Sequence, residues 1–187
     1  MCDGQASNWT VYEEHLKGAG FVAILDFLHL LSYLYAAAQA LGGAEAERWK
    51  RYVQWVTWAW QGQREQVLLA LNASCARSGA PAAGAPETDP RRVLAKARTY
   101  VTNNIEKMDY PRYRKLGLPI SSAPVESVIK QFNKRVKGTE KFWRKTAVEA
   151  VLQVRAAQLC EEGRTDRLWA TPRRVRAANS NALRRAA

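Results

Sequence analysis

Apolar positions along the chain fall into helical stripes separated by glycine- and proline-marked breaks, a pattern that predicts a mainly α protein. The run Phe21-Val22-Ala23-Ile24-Leu25 is continuous rather than periodic and reads as one short buried strand. Asp26 then opens a helical pattern from Phe27 to Leu41, stopped by Gly42-Gly43. From 44 to 62, Trp49, Tyr52, Trp55 (or Val56) and Trp60 recur at helical intervals. With Trp58, these tryptophans cover more than one face, so some bury and some do not. Residues 64–76 form a further helical pattern ending near Gly79, and 78–90 read as a flexible linker or exposed loop. A helix is expected from Arg91 to about Met108, after which Pro111, Gly117 and Pro119 punctuate the chain. Pro124 begins another helix, with Val125, Ile129, Phe132 and Val136 as its buried stripe. Residues 145–162 make a last strong helix, and the Arg-rich tail beyond Thr171 is expected to be loose. The sum is one short strand and six or seven helices, without an internal repeat.

Charge is distributed unevenly over this frame. Of the net +12, residues 1–80 carry −1, residues 81–125 carry +4 and residues 126–187 carry +9. A gradient of that kind points to a polyanion on the C-terminal side, although a solvated basic surface produces the same count. Cys2, Cys75 and Cys160 are odd in number and far apart, with no zinc-ligand spacing, and fit reduced thiols. No apolar run reaches the ~18 residues of a membrane span, and the N-terminus lacks a signal-peptide pattern. A cytoplasmic protein with no membrane partner is the expectation.

The chemistry worth seeking beside a polyanion is a set of carboxylates able to hold divalent metal. Phosphoryl transfer on DNA needs two hard cations about 4 Å apart, and two or three Asp or Glu side chains suffice for them. Asp3 precedes Gly4, where a strand end would put a carboxylate at the edge of a sheet. Glu126 lies in the first turn of its helix, on the same polar side as Lys130, Asn133, Lys134 and Lys137. Such a ladder suits a metal next to phosphates; an acid at this position is also favoured by the helix macrodipole alone. Asp26 and His29 share a helix face, where Asp26 serves equally as an N-cap and His29 as a hydrogen-bonded core histidine. Phe142 and Trp143, flanked by Lys141 and Arg144, could face a DNA end or belong to the core.

Read in order, these residues resemble a known group. Asp3-Gly4-Gln5 and Ile24-Leu25-Asp26-Phe27-Leu28-His29, leading into Tyr33-Leu34-Tyr35-Ala36-Ala37-Ala38, are similar to the Kra-type bacterial insertion-sequence transposases of the Mutator-like DDE group. The second half continues the likeness through Asn104, Met108, Tyr110, Gly117-Leu118-Pro119-Ile120-Ser121-Ser122-Ala123-Pro124-Val125-Glu126, Lys134-Arg135-Val136-Lys137-Gly138 and Phe142-Trp143. Leu152-Gln153-Val154-Arg155-Ala156 and Gly163-Arg164-Thr165-Asp166-Arg167-Leu168-Trp169 complete it, so it spans most of residues 3–170. One departure is Ser121-Ser122-Ala123-Pro124, where the group usually has Gly-Ser-Gly before Val-Glu.

The resemblance implies the C-terminal portion of an RNase H-like α/β catalytic domain with a helical insertion. On that basis residues 1–43 are a partial core, 44–110 the insertion, 111–170 the C-terminal helices bearing the Glu, and 171–187 a basic tail. Asp3 becomes the second catalytic Asp and Glu126 the last, both ligands of Mg2+ or Mn2+. Asp26 and His29 match the group's Asp-x-x-His motif and support the site. Lys130, Lys134, Arg135, Lys137, Lys141, Trp143 and Arg144 become DNA contacts. Transposon ends and target DNA are the implied partners, at the bacterial nucleoid, with a homodimer or the N-terminal part of the enzyme as a protein partner. The first catalytic Asp belongs upstream of Asp3, so strand cleavage is not expected of this chain by itself. Two further readings remain: a non-catalytic DNA-binding remnant of a transposase, and a helical interaction module whose basic tail binds RNA or acidic partners.

Overall fold

The structure, a computed structural model, describes residues 1–138, 141–160 and 163–170. It is mainly helical, as the periodicity predicts. Two compact units divide it, Met1–Ser122 and Ala123–Ala187.

The first unit contains α1 (Ala6–Val11), α2 (Phe27–Ala40), α3 (Glu45–Trp60), α4 (Arg64–Ser78), α5 (Pro90–Asn104) and α6 (Tyr110–Lys115). Its core forms where helical stripes meet. Phe27, Leu30, Leu34, Ala37 and Ala38 of α2 pack with Leu94, Ala97 and Val101 of α5. Val67 and Leu71 of α4 and Trp55 and Ala59 of α3 close the other sides. The small Ala37, Ala38, Ala59 and Ala97 let backbones approach, and burial of the larger side chains supplies about 1.5–3 kcal/mol each.

Helix ends follow local chemistry. Asp26, Asp89 and Asp109 accept hydrogen bonds from first-turn amides of α2, α5 and α6. Pro90 and Pro111 occupy first turns, where the missing N–H is harmless. Pro111 therefore starts a helix where the sequence suggests only a break. At the end of α2, Gly42 takes φ +65°, and Arg51 donates to the Ala38 carbonyl over 3.2 Å. The 79–89 stretch is a loop joining α4 directly to the helix it packs against, with Ala85 buried. Trp55 is buried while Trp49 is 57% exposed, the split expected of tryptophans on several faces.

The expected strand is reduced to a single parallel bridge between Cys2 and Leu25. Phe21 and Val22 are exposed, so only Ile24 and Leu25 of the apolar run are buried. The second unit contains α7 (Ala123–Val136), α8 (Lys145–Leu159) and α9 (Arg164–Ala170). The α7 stripe differs from expectation, since Val125 and Ile129 are 59% and 51% exposed and only Phe132 and Val136 are half-buried. Helical spacing placed them on one side without supplying a neighbour to cover its first half. The basic tail at 171–187 lies outside the described residues. Among the described residues, no helix is long and apolar enough to cross a membrane.

Candidate functional site

The Cys2–Leu25 bridge decides where the first-unit carboxylates go. Cys2 N–H donates to the Ile24 carbonyl (3.1 Å), and Asp26 N–H donates to the Cys2 carbonyl (2.9 Å). With parallel pairing in this register, Asp3 and Asp26 are neighbours one residue beyond the bridge, at the carboxyl ends of their segments. Burial pushes the Cys2 thiol pKa up, which keeps it protonated.

The two aspartates have different environments. Asp26 is fully buried, and both its oxygens are engaged. Oδ1 accepts from Leu28 N–H (2.8 Å) and His29 N–H (3.3 Å), and Oδ2 accepts from Ser122 N–H (2.7 Å). Burial raises its pKa, but hydrogen bonds from the Ser122 hydroxyl and N–H and from His29 and Leu28 outweigh that, holding the carboxyl below its ordinary range. Asp3 is half-buried; its Oδ1 accepts from Gln5 N–H (3.1 Å) and Asn8 Nδ2 (3.0 Å). Among the described residues no hydrogen bond reaches Asp3 Oδ2, so this oxygen can still ligate.

Around Asp3 the structure builds a support that the sequence does not announce. Tyr100 donates its hydroxyl to the Asp3 carbonyl (2.9 Å), and its ring stacks on Tyr33 at 3.8 Å and 10°. Burial, then the neighbouring Tyr33, Asp26 and Asp3, push the Tyr100 pKa well up, so its hydroxyl remains a donor. Buried Asn104 accepts from Trp9 Nε1 (2.7 Å) and donates to the Tyr100 carbonyl (2.8 Å), fastening α1 to α5. The available signal was spacing: Tyr100 and Asn104 are one turn apart beside the Leu94–Ala97–Val101 stripe.

His29 is exposed rather than a core histidine, with Nδ1 3.6 Å from Asp26 Oδ1. Glu126 belongs to the second unit, in the first turn of α7. Lys130, Lys134 and Arg135 follow on that helix and Lys137 just beyond it, all exposed. Lys141, Trp143 and Arg144 lie in the connection to α8. Phe142 is 92% exposed and so is no core residue, while Trp143 donates Nε1 to the Val136 carbonyl (3.0 Å). Among the described residues no three His, Cys, Asp or Glu side chains gather as a metal-binding group. No family model matches the chain, and no curated protein or solved structure is significantly similar to it.

Proposed function

We propose that the chain is the C-terminal catalytic part of a DDE-type transposase, working on DNA through divalent metal, with an RNase H-like core and a helical insertion. The ordered motif resemblance suggests the reading, and the observation that carries it is the register of Asp3 beside Asp26 at the carboxyl ends of two paired segments. That is where strand-bearing folds present groups to ligands. Asp3, with an oxygen to offer, and Glu126 are the proposed ligands of Mg2+ or Mn2+. Asp26, saturated by four donors from Leu28, His29 and Ser122, is a positioning residue. When bound, such metals polarise the phosphodiester and lower the pKa of the attacking oxygen. The exposed cations of α7 and the connection after it neutralise phosphate, which fixes DNA without reading sequence. The proposed location is the nucleoid.

A second reading, a DNA-binding protein of transposase descent that does not cut, is favoured by the exposed Lys130, Lys134, Arg135 and Lys137, which serve phosphate binding without metal. Mn2+ titration of the full chain, followed by electron paramagnetic resonance, separates the two. The catalytic reading expects Asp3→Asn and Glu126→Gln each to weaken Mn2+ binding by about tenfold or more while duplex binding persists. Mn2+ affinity indifferent to both substitutions would leave only the DNA-binding reading. Duplex binding that does not respond to salt would remove both.

A further inference from the structure

We propose that the groove along α5 is a binding site for single-stranded DNA, with Glu87 occupying the place of a phosphate until the strand arrives. The groove, about 440 Å³, runs from Gly4 and Asn104 past Tyr33 and Tyr100 to Lys96 and Arg92. It therefore starts at the backbone of Asp3-Gly4, and the choice of DNA as ligand rests on the function proposed above.

Three features set the ligand class. Arg92 and Lys96, one turn apart on α5, grip the two oxygens of a single carboxylate: Arg92 Nη2 is 2.6 Å from Glu87 Oε1, and Lys96 Nζ contacts Oε2. A carboxylate shared by two cations marks an anion site already assembled, and phosphate oxygens suit the same fork. The exchange is easy because Glu87 is 60% exposed and exposed ion pairs are weak. Next along the groove, the stacked Tyr33–Tyr100 pair offers an aromatic wall in which Tyr33 is half-buried. Every base has a face that can stack on such a ring, but only an unpaired strand can deliver it. Thr99 and Asn103, exposed on the same side of α5, add neutral donors and acceptors for sugar or base edges. A site of this volume matches about one or two nucleotides.

The test uses the full chain and a fluorescent oligothymidylate of about ten nucleotides carrying one 5-iodouracil. Glu87→Gln removes the competing charge and is expected to tighten strand binding roughly fivefold at low salt. Lys96→Ala is expected to weaken it and reduce the log–log salt slope by about 0.7. Irradiation is expected to attach the strand to a peptide containing Tyr33, and excess duplex of the same sequence to leave that product in place. All three variants and the parent are checked for equal thermal unfolding, with Tyr33→Phe as the third, which keeps the ring and the cross-link. Affinity unmoved by both Glu87→Gln and Lys96→Ala, or cross-links confined to residues 123–170, would overturn the groove. A parent chain that binds no Mn2+ while the groove response is intact would overturn the metal-dependent reading alone.

Discussion

The backbone N–H of Ser122 donates to Asp26 Oδ2 over 2.7 Å, joining positions 96 residues apart. Phe27 N–H reinforces the join by donating to the Ile120 carbonyl (2.8 Å). Asp26→Ala is expected to cost about 3 kcal/mol, because it removes an N-cap and a buried charged acceptor together. Asp26→Asn keeps one acceptor but sets an NH2 against a donor, and is expected to cost about 2 kcal/mol. Urea unfolding measures both. The folded carboxyl has its pKa below the unfolded value of about 3.9, so its contribution is complete above that value and lost as pH falls through the folded pKa. The parent should lose stability steeply below about pH 4, and Asp26→Asn should show a shallower acid limb. Equal slopes would exclude Asp26 as the source.

Gly4 has φ +89°, and a Cβ there would meet Tyr100 Cε2 at 2.8 Å, Leu25 Cδ1 at 3.1 Å and Asn104 Nδ2 at 3.2 Å. A side chain at this position is strained by its backbone and crowded by a ring held in a stack. Gly4→Ala is expected to destabilise by about 2–4 kcal/mol, combining both effects. It should also displace Tyr100 from the Asp3 carbonyl, visible as altered near-ultraviolet circular dichroism. A loss below about 0.5 kcal/mol would mean that the close approach does not exist.

What the sequence disclosed depends on how local each cause is. The helices α2 and α5 and the capping by Asp26 were legible because 3.6-residue spacing and first-turn amides are local properties. α6 was not, since Pro111 was read as punctuation without Asp109 as its cap. The α7 stripe was legible as a side and not as buried, because burial needs a second element that periodicity cannot name. At the candidate site, Asp3, Asp26 and His29 could be picked out, but Ser122, Tyr100 and Asn104 act through contacts spanning some ninety residues. No local pattern encodes those partners.

Two tyrosines near Asp26 differ in what their hydroxyls do. Tyr100 donates to a carbonyl, whereas the buried Tyr110 hydroxyl has no hydrogen-bond partner among the described residues and its ring packs edge-on to Phe27 at 4.8 Å. Tyr100→Phe is expected to cost about 1 kcal/mol, and Tyr110→Phe to be neutral or to stabilise by about 1 kcal/mol. Burial, chiefly, pushes both pKa values up. Their contribution is therefore present below the unfolded value of about 10 and lost as pH rises through the folded one. Absorbance at ~295 nm should show these phenols ionising only with unfolding. Reversible titration of all seven tyrosines near pH 10 would contradict that.

The basic side of α7 and its C-terminal end should separate binding from helix closure. Lys130 and Lys137 are exposed cations, whereas Lys141 Nζ donates to the Lys134 carbonyl (2.5 Å), where a helix end favours positive charge. Trp143 Nε1, donating to the Val136 carbonyl, does the same work two residues on. Under the DNA-binding reading, Lys130→Ala and Lys137→Ala should each reduce the duplex log–log salt slope by about 0.9 with unchanged helicity. Lys141→Ala and Trp143→Phe should instead fray α7, with faster amide exchange over residues 132–136 and a cost of about 0.5–1 kcal/mol each. A slope unchanged by Lys130→Ala and Lys137→Ala would take these lysines out of the DNA contact and leave the helix-end bonds to be judged by exchange alone.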